Sequence, residues 1–586
     1  MSEKLGKSPE NNSRWAGRRL LGRAALSLAG GALIAAPFAV ASSISNAEVR
    51  DDLGPVPTSI SLAPGYSAVD FGVLGTVYDE SLASAGLGLQ IEIDGPPSVF
   101  ESIDTNNPAR VVKPLTALYQ DPSSAIEGYK TAIEREIRHE LLTTELRTAA
   151  ALGALAFILT SFGGQMSPRE RKRYLAATFG GMSVLSILAG AHALNEWQQD
   201  NTLPAESYAV TALSGNEHGA ITASNPLLAG IIDRAAPLIE EQKQRNEQET
   251  NRFVAYAERS IDQQLALGEF VPPESDETLV LALSDLHSNR AMIEVYRYFV
   301  DQVNDMYGEN TLELTLLVGD QTYGSATEKG AIDAIGQISS EVYGINGNHD
   351  GPLIAEQASS QGIHLLNGET TETTDGLSLL GAPDPTLTKL SALFGFSENT
   401  LRDSKIGGQE ELGELLADEA EETHPTFVLS HEAYALKSLL GKDDISLSTM
   451  ERWLSTGESQ DVDIPASAVL YGHWHRQFDY RVIRDDDGNG TVVAELGTAG
   501  GASGEMSLGS LSFPWTTPAK QASAVLIRID TDRQLVTGIQ EMVTRTSGEV
   551  FLQSAETVAQ PRDPDEAKDA AGRDGTQAAS DKQSHR

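Results

Sequence analysis

Five short apolar runs in the second half of the chain each end in residues that bind metals or carry protons. The runs are "TLVLALSDLHSN", "LELTLLVGDQTYG", "EVYGINGNHDG", "TFVLSHEAY" and "SAVLYGHWHRQ". The polar side chains of interest at their ends are Asp285, His287, Asp320, Asn348, His349, Asp350, His431, His473 and His475. A single Asp or His after a strand is more often a loop hydrogen-bonding group than a metal ligand. Five such runs in order are poorly explained by chance, and they predict one shared site.

The side-chain types suit two divalent transition-metal ions. Two Asp, one Asn and four His of this set offer oxygen and imidazole nitrogen, which fits Mn, Fe or Zn better than Ca or Mg alone. The chain has no Cys, which excludes thiolate ligands, disulfides and a cysteine nucleophile. Two ions about 3.5–4 Å apart can activate a bridging water for in-line attack at phosphorus. A further His beside them can protonate the leaving alkoxide.

The five runs are predicted to be strands of a parallel α/β arrangement. Each holds several consecutive apolar residues, the pattern of a strand that is covered on both faces. Helical stretches such as "RAMIEVYRYFVDQVN" separate the first three runs. Parallel strands that alternate with helices carry ligands at their carboxyl ends. The residues that follow the strands are therefore expected to converge on one site.

The ordered set D-x-H, G-D, G-N-H-D, H and G-H-x-H resembles the calcineurin-like metallophosphoesterases, over about residues 277–545. The resemblance implies a two-sheet α/β sandwich flanked by helices, with a dinuclear centre at one edge. It assigns seven residues to the two ions: Asp285, His287 and His475 to one, Asn348, His431 and His473 to the other, and Asp320 as the bridge. It makes His349 the general acid, and Asp350 a catalytic-loop residue that helps to place that loop.

The residues of two motifs argue against the protein serine/threonine phosphatase branch of this family. Protein serine/threonine phosphatases carry G-D-x-x-D-R-G and G-N-H-E, whereas this chain has "GDQTYGS" and "GNHD". Residues 386–422 resemble an insertion, which either caps the site and selects substrate or forms a surface helix pair.

Three apolar segments, 24–44, 148–164 and 174–194, are predicted to be transmembrane helices. A hydrocarbon layer needs ~17–25 residues. Buried core helices are the alternative, but the second and third segments lack the polar face of such helices. Lys and Arg concentrate in residues 1–23 and 165–173, which the positive-inside rule places in the cytoplasm. The paired arginines of "GRRLLGRAAL" also resemble a twin-arginine export signal, so the first segment is either a retained anchor or a cleaved signal.

The predicted fold class is α/β, with transmembrane helices and a small membrane-proximal α+β domain beside the two-sheet sandwich. The predicted order is: basic cytoplasmic N-terminus 1–23, first span 24–44, extracytoplasmic β-rich segment and helix 45–147, second span 148–164, basic cytoplasmic loop 165–173, third span 174–194, mainly helical membrane-proximal segment 195–270, metallophosphoesterase domain 277–550 and disordered tail 555–586.

Together these features predict an outward-facing metallophosphoesterase of the bacterial cytoplasmic membrane, with a lipid-linked, cell-wall or nucleotide phosphodiester as substrate. The net charge of −40 argues against a protein that coats nucleic acid. Two alternatives stay open. The fold could serve as a non-catalytic metal-binding scaffold or receptor module, or the membrane-proximal part could be a sensor whose output is the enzyme.

Overall fold

A computed structural model of the chain describes residues 9–53, 56–81, 83, 86–93, 122–162, 167–212, 221–389, 400–401, 406–441, 464–484, 490–502 and 517–558. The described residues fall into two compact units. The first lies within residues 1–51, 58–105 and 129–236, and the second within 52–57, 106–128 and 237–586.

The first unit combines long helices with a seven-stranded sheet. The helices are α1 (Pro9–Asn46), α2 (Pro122–Phe162, in this unit from residue 129) and α3 (Pro168–Asp200). The strands are β1 (Glu48–Leu53, in this unit to residue 51), β2 (Val56–Pro64, in this unit from residue 58), β3 (Ser67–Asp70), β4 (Thr76–Asp79), β5 (Leu87–Ile93), β6 (Tyr208–Ala209) and β7 (Ile221–Ala223). Their order is β1-β2-β5-β3-β4-β7-β6. Because β4 pairs with β7, residues before α2 and after α3 share one sheet.

Two segments of the described residues are long and apolar enough to cross a membrane. They are Ser27–Asn46 in α1, with 20 residues, and Lys172–Asp200 in α3, with 29 residues. They overlap the first and third predicted spans. Length and composition alone do not separate such helices from core helices or a signal sequence. The second predicted span, 148–164, lies largely in α2, whose described residues give no such segment, and it stays a prediction.

The predicted basic loop 165–173 is too long, because α3 already begins at Pro168. Ser167 caps this helix: its hydroxyl accepts a hydrogen bond from the backbone N–H of Glu170, and the Glu170 carboxylate accepts one from the N–H of Ser167. This reciprocal pair satisfies N–H groups that have no partner within the helix. All four basic residues of the predicted loop therefore lie on the first turns of α3.

The second unit is a two-sheet sandwich. The first sheet has the order β11-β10-β9-β8-β20-β21-β22, with β23 also on β21. Its strands are β8 (Glu277–Leu283), β9 (Leu314–Val318), β10 (Glu341–Ile345), β11 (His364–Leu365), β20 (Ala522–Asp530), β21 (Leu535–Thr544), β22 (Val550–Leu552) and β23 (Glu556–Thr557). The second sheet has the order β12-β13-β16-β17-β19-β18. Its strands are β12 (Thr371–Glu372), β13 (Ser378–Gly381), β16 (Phe427–Leu429), β17 (Ala468–Tyr471), β18 (Asp479–Arg484) and β19 (Gly490–Glu495). A short pair, β14 (Thr386–Leu387) and β15 (Thr400–Leu401), stands apart.

Helices cover the outer faces of this sandwich. They are α4 (Pro226–Leu267, in this unit from residue 237), α5 (Arg290–Tyr307), α6 (Lys329–Ile335), α7 (Pro352–Ser360), α8 (Gln409–Thr423) and α9 (Leu436–Leu439). Residues of α4, α5, α6 and α7 pack on the first sheet, and residues of α8 and α9 pack on the second. A separate buried cluster, with Leu316 and Phe427 among its members, lies between the sheets. Mixed sheets flanked by helices fit the predicted fold class.

The five strands expected to carry the site are β8, β9, β10, β16 and β17. The first three are neighbours in one sheet and pair in parallel, while β16 and β17 are parallel neighbours in the other. Every residue of β9 and β17 is buried, as their unbroken apolar runs predict. All five strands thus end beside the same edge of the sandwich.

The predicted disordered tail, 555–586, is wrong at its start. Residues of β23 pair with Gly538 and Ile539 of β21, and Val558 is buried. The strand edge of β21 offers free backbone groups, and Val558 adds apolar burial, which together hold this end of the chain. Residues 559–586 lie outside the described residues. The insertion at 386–422 is described in part, and there α8 packs on the second sheet.

Candidate metal centre

The structure brings all seven candidate ligands together at the carboxyl ends of the five strands. Two groups of donor atoms form, each with its atoms within 4.8 Å of one another. The first group is Asp285, His287 and His475, and the second group is Asp320, His431 and His473. Asn348 joins the second group, since its side-chain oxygen lies 3.0 Å from His431 Nε2 and 3.1 Å from His473 Nδ1.

In the first group, two ring nitrogens and one carboxylate oxygen point at the same place. Nε2 of His287 lies 2.9 Å from Nε2 of His475. Oδ1 of Asp285 lies 3.0 Å from Nε2 of His475 and, among the described residues, is buried without a hydrogen-bond partner apart from that contact. A buried polar atom without such a partner is costly unless it binds something else. This donor set fits a divalent transition-metal ion.

In the second group, Nε2 of His431 is the central donor atom. It lies 3.2 Å from Oδ2 of Asp320 and 3.3 Å from Nδ1 of His473. The other ring nitrogen of His431 lies 2.9 Å from the backbone oxygen of Val318. A bond to that carbonyl places the proton on Nδ1 and leaves the Nε2 lone pair free for a ligand role.

Asp320 faces both groups with a single oxygen. Its Oδ2 is 3.2 Å from His431 Nε2 and 3.8 Å from His287 Nε2. Its Oδ1 instead accepts a hydrogen bond of 2.9 Å from the backbone N–H of His349. A Cβ at Gly347 would lie 2.2 Å from that Oδ1, so the glycine of "GNHD" leaves room for this carboxylate. The arrangement suits a carboxylate shared between two ions.

Five of the seven candidate ligands have left-handed backbone conformations that L side chains rarely adopt. They are Asp285 (φ 55°), His287 (45°), Asp320 (51°), His473 (73°) and His475 (52°). Only eight non-glycine residues of the described chain have positive φ. Such conformations cost on the order of 1–3 kcal/mol each and cluster at functional sites. The chain therefore keeps a functional side chain where glycine would fit the backbone more easily.

Burial keeps most of the imidazoles neutral. Burial, together with neighbouring His475, lowers the pKa of His287 to about 3, and burial together with His431 lowers the pKa of His473 to about 4. His431 differs: burial lowers its pKa, but the charge of Asp320 outweighs burial and raises it well above the usual value. Burial raises the pKa of Asp320, but the surrounding imidazoles outweigh this and hold it well below its usual range. A metal cation would take the place of the His431 proton in balancing the carboxylate charge.

His349 and Asp350 lie outside both groups. The His349 ring is 9% exposed and its centroid lies 5.6 Å from that of His287, close enough to the first group to face a bound substrate. Asp350 is fully buried and accepts hydrogen bonds from the backbone N–H groups of Gln321, Thr322 and Gly347. It joins the loops after β9 and β10, which agrees with a positioning role and not with contact to the reacting atoms.

Two residues near the site were not predicted from the sequence. The Tyr323 ring stacks on the His287 ring with centroids 4.6 Å apart, and the buried Glu328 accepts hydrogen bonds from the loop that carries Tyr323. The S-x-x-E pattern of "SATE", residues 325–328, is a capping-box pattern that could have drawn attention to Glu328. No sequence pattern marks the stacking of Tyr323.

Comparison with known proteins agrees with this geometry. The family model for calcineurin-like phosphoesterases matches residues 278–477, a range that contains all seven candidate ligands. This region is a calcineurin-like phosphoesterase domain. A domain of this family implies an enzyme that hydrolyses phosphoester bonds.

The solved structures that match include that of phosphopantetheinyl hydrolase from Mycobacterium tuberculosis. The two chains are 14% identical, the match covers 39% of this chain and 92% of that chain, and the TM-score is 0.23. No curated protein matches the chain.

Proposed function

We propose that this chain is a membrane-anchored phosphodiesterase whose phosphoesterase domain faces outward and holds two divalent transition-metal ions. The observation that carries the proposal is the pair of donor groups that share Oδ2 of Asp320. The phosphoester-hydrolysing domain is common to the family, while the two ions, the diester substrate and the orientation are specific to this proposal.

The donor groups assign the ions to residues. Asp285, His287 and His475 would hold one ion, His431, His473 and Asn348 would hold the other, and Asp320 would serve both. When bound, such ions draw charge from the phosphoryl oxygens and make a water nucleophilic at neutral pH.

His349 is proposed to protonate the leaving oxygen. Burial lowers the pKa of His349 in the free protein. The negative charge of a bound phosphoester acts in the opposite direction and favours the imidazolium. His349 would thus gain its proton when substrate binds, beside the group that must leave. Its backbone N–H bond to Asp320 fixes the loop that carries it.

The helices α1 and α3 support membrane anchoring. Large apolar side chains point outward on both, for example Leu33, which is 81% exposed, and Leu185, which is 67% exposed. Only 18% of the apolar window in α3 is buried, far less than in a core helix. The basic residues before α1 and at the start of α3 favour the orientation in which both lie in the cytoplasm.

The packing of α1 supports a retained anchor over a cleaved signal. A Cβ on Gly31 of α1 would lie 2.5 Å from the backbone oxygen of Ala149 in α2. A Cβ on Gly190 of α3 would lie 2.9 Å from the backbone oxygen of Pro37 in α1. Removal of α1 would expose both contacts. Small residues at such crossings are typical of membrane helix packing.

A phosphodiester is favoured by charge near the second group. Glu432 Oε1 lies 3.6 Å from Nε2 of His473, and the buried Asp384 is close enough to raise the pKa of Glu432 further, beyond the effect of burial. In their ionised form, these carboxylates would repel a monoester dianion more than a diester monoanion. Lipid-linked, cell-wall and nucleotide diesters all meet this condition, and tethering at the membrane brings the first two within reach.

The test uses the full chain in detergent, stripped of metal and given manganese, zinc, iron or nickel separately. Hydrolysis of bis(p-nitrophenyl) phosphate and of p-nitrophenyl phosphate is followed for wild type, Asp320→Ala and the exposed control Asp375→Ala. We expect metal-dependent turnover that favours the diester, collapses in Asp320→Ala and persists in Asp375→Ala. Two bound ions with no turnover under any metal would instead support the non-catalytic scaffold.

A further inference from the structure

We propose that Glu328, a buried carboxylate that belongs to neither metal group, is a positioning residue for the first group and acts through Ser288 and Tyr323. The inference rests on the proposed function, because it concerns the ion that the first group would hold.

Glu328 is surrounded by hydrogen-bond donors. Its side chain is buried, with 6% of the residue exposed. Oε1 accepts a bond of 2.6 Å from the Ser288 hydroxyl and one of 3.1 Å from the Tyr323 N–H. Oε2 accepts bonds from the N–H groups of Ser325, at 2.9 Å, and Tyr323, at 3.1 Å. Four hydrogen bonds from three residues thus hold this carboxylate between the loops.

These donors come from the two loops that carry first-group and bridging residues. Ser288 directly follows His287 and shares its left-handed backbone, with φ of 57°. Tyr323 lies on the loop after β9, which also contains Asp320. The backbones of the two loops already bond at His287 N–H to Asp320 O, 3.0 Å. Glu328 closes the same junction with its side chain, so its loss would loosen the position of His287.

The Tyr323 ring provides a second connection from Glu328 to His287. It is 8% exposed and stacks on His287 with an interplanar angle of 27°. Ligand imidazoles are usually oriented by a hydrogen bond at their other ring nitrogen. His431 has such a contact at Nδ1, but Nδ1 of His287 is buried without a hydrogen-bond partner in the described part of the chain. The His349 and His475 rings touch His287 in T-shaped contacts, and Tyr323 is the ring that stacks on its face and restricts its rotation.

A plain capping role makes a different prediction from a positioning role. Glu328 is also the N3 residue of a capping box with Ser325, on the short 3₁₀ turn Ala326–Glu328. Gln serves in a capping box nearly as well as Glu. Three of the four bonds to Glu328 come from backbone N–H groups, however, and the Tyr323 N–H reaches both carboxylate oxygens, so the amide NH₂ of Gln would face an N–H in either orientation. A positioning role thus predicts that Glu328→Gln weakens metal binding by the first group. A capping role alone predicts that metal binding is unchanged.

The experiment titrates the metal-free full chain with Mn²⁺ and measures the affinity of each binding step. The variants are Glu328→Gln, Tyr323→Leu and Tyr323→Phe, with Glu341→Gln as the control carboxylate and His475→Ala to identify the first-group step. We expect Glu328→Gln and Tyr323→Leu to weaken that step about 10–100-fold, and to leave the other step within about threefold. Tyr323→Phe keeps the ring and should bind like wild type.

The possible failures are distinguishable. Wild type that binds two ions while Glu328→Gln and Tyr323→Leu bind both normally would overturn this inference and leave the proposed function standing. Equal weakening of both metal-binding steps would also overturn the inference, because stacking on His287 concerns the first group alone. The same holds if Tyr323→Phe binds metal as weakly as Tyr323→Leu, because Phe keeps the stacking ring. If Glu328→Gln does not fold, the Tyr323 pair decides alone. Wild type without any bound ion would remove both the inference and the proposed function.

Discussion

His349 and the candidate ligands differ in what surrounds them, although all are buried except His473 and His475, which are partly exposed. The ligand side chains face one another across distances of 2.9–3.8 Å. The His349 ring instead lies in a T-shaped contact with the His287 ring, and its backbone N–H donates to Asp320. A residue placed in this way can act on a substrate without holding a metal ion. Its removal should therefore change catalysis and not metal content.

The variant His349→Ala should reduce kcat by about 10²–10⁴-fold for a diester with an alkyl leaving group, the usual value of general acid catalysis. The loss should be much smaller for a p-nitrophenyl diester, because p-nitrophenolate leaves without a proton. Steady-state rates with the two substrates, and metal content by elemental analysis, measure this. The exposed His364 offers a matched control, His364→Ala, which should be neutral. Equal losses on both substrates, or loss of metal, would contradict the acid role.

At the level of elements, the strand ends were predictable and their supporting contacts were not. Unbroken apolar runs followed by polar residues identify β8, β9, β10, β16 and β17, because a strand buried on both faces leaves a distinct pattern. Their division between two sheets came only with the family resemblance. Periodicity does not tell which buried strands share a sheet.

The residues that support the ligands depend on loop conformations, which leave weak traces in a sequence. Glu328 acts on Ser288, 40 positions earlier, and this contact exists only after both loops have folded. Tyr323 could equally have been a surface residue of a turn. The short strand β23 was missed because two polar residues carry its pairing through the backbone alone. The sequence thus predicts which residues are candidate ligands, but it does not predict the contacts that position them.

Helix α4 is attached to the phosphoesterase domain by side-chain contacts that allow a test at this level. Ser260 donates a hydrogen bond of 2.9 Å to the backbone oxygen of Val550 and accepts one of 2.9 Å from its N–H. Phe253 and Ile261 bury the same face of the helix against the first sheet. The serine therefore completes the edge strand β22, whose backbone would otherwise lack a partner at this position.

We expect Ser260→Ala to lower the stability of the domain by about 1–3 kcal/mol, since it leaves a buried N–H without a partner. For a domain of this size, each kcal/mol corresponds to about 2–4 °C in Tm. Differential scanning calorimetry of the full chain measures the shift, and the exposed Ser275→Ala serves as the control. Turnover below the transition should be unchanged. An unaltered Tm in Ser260→Ala would show that the contact contributes nothing.

At the level of the whole molecule, the proposed membrane orientation predicts the side on which the phosphoesterase domain lies. The absence of native cysteine makes every introduced cysteine unique. Ser2→Cys marks the basic N-terminal segment, and Ser547→Cys marks an exposed turn of the phosphoesterase domain.

Cells that express each variant should be treated with a membrane-impermeant maleimide. The proposed orientation predicts that Ser547→Cys is labelled in intact cells and that Ser2→Cys is labelled only after permeabilisation, because the basic flanks stay in the cytoplasm. The cysteine-free parent chain controls for background. The reverse pattern would overturn the outward orientation, and loss of Ser2→Cys from the mature chain would indicate cleavage of α1.

The most direct measurement of the central claim is the number of metal ions bound to the full chain. Elemental analysis after equilibration with Mn²⁺ and removal of free metal should give two ions per wild-type chain. His287→Ala and His431→Ala should each lose the ion of their own group, and Asp320→Ala should lose affinity for both, because its Oδ2 faces both groups. One ion in wild type, or two ions retained in both His variants, would contradict the two-ion centre.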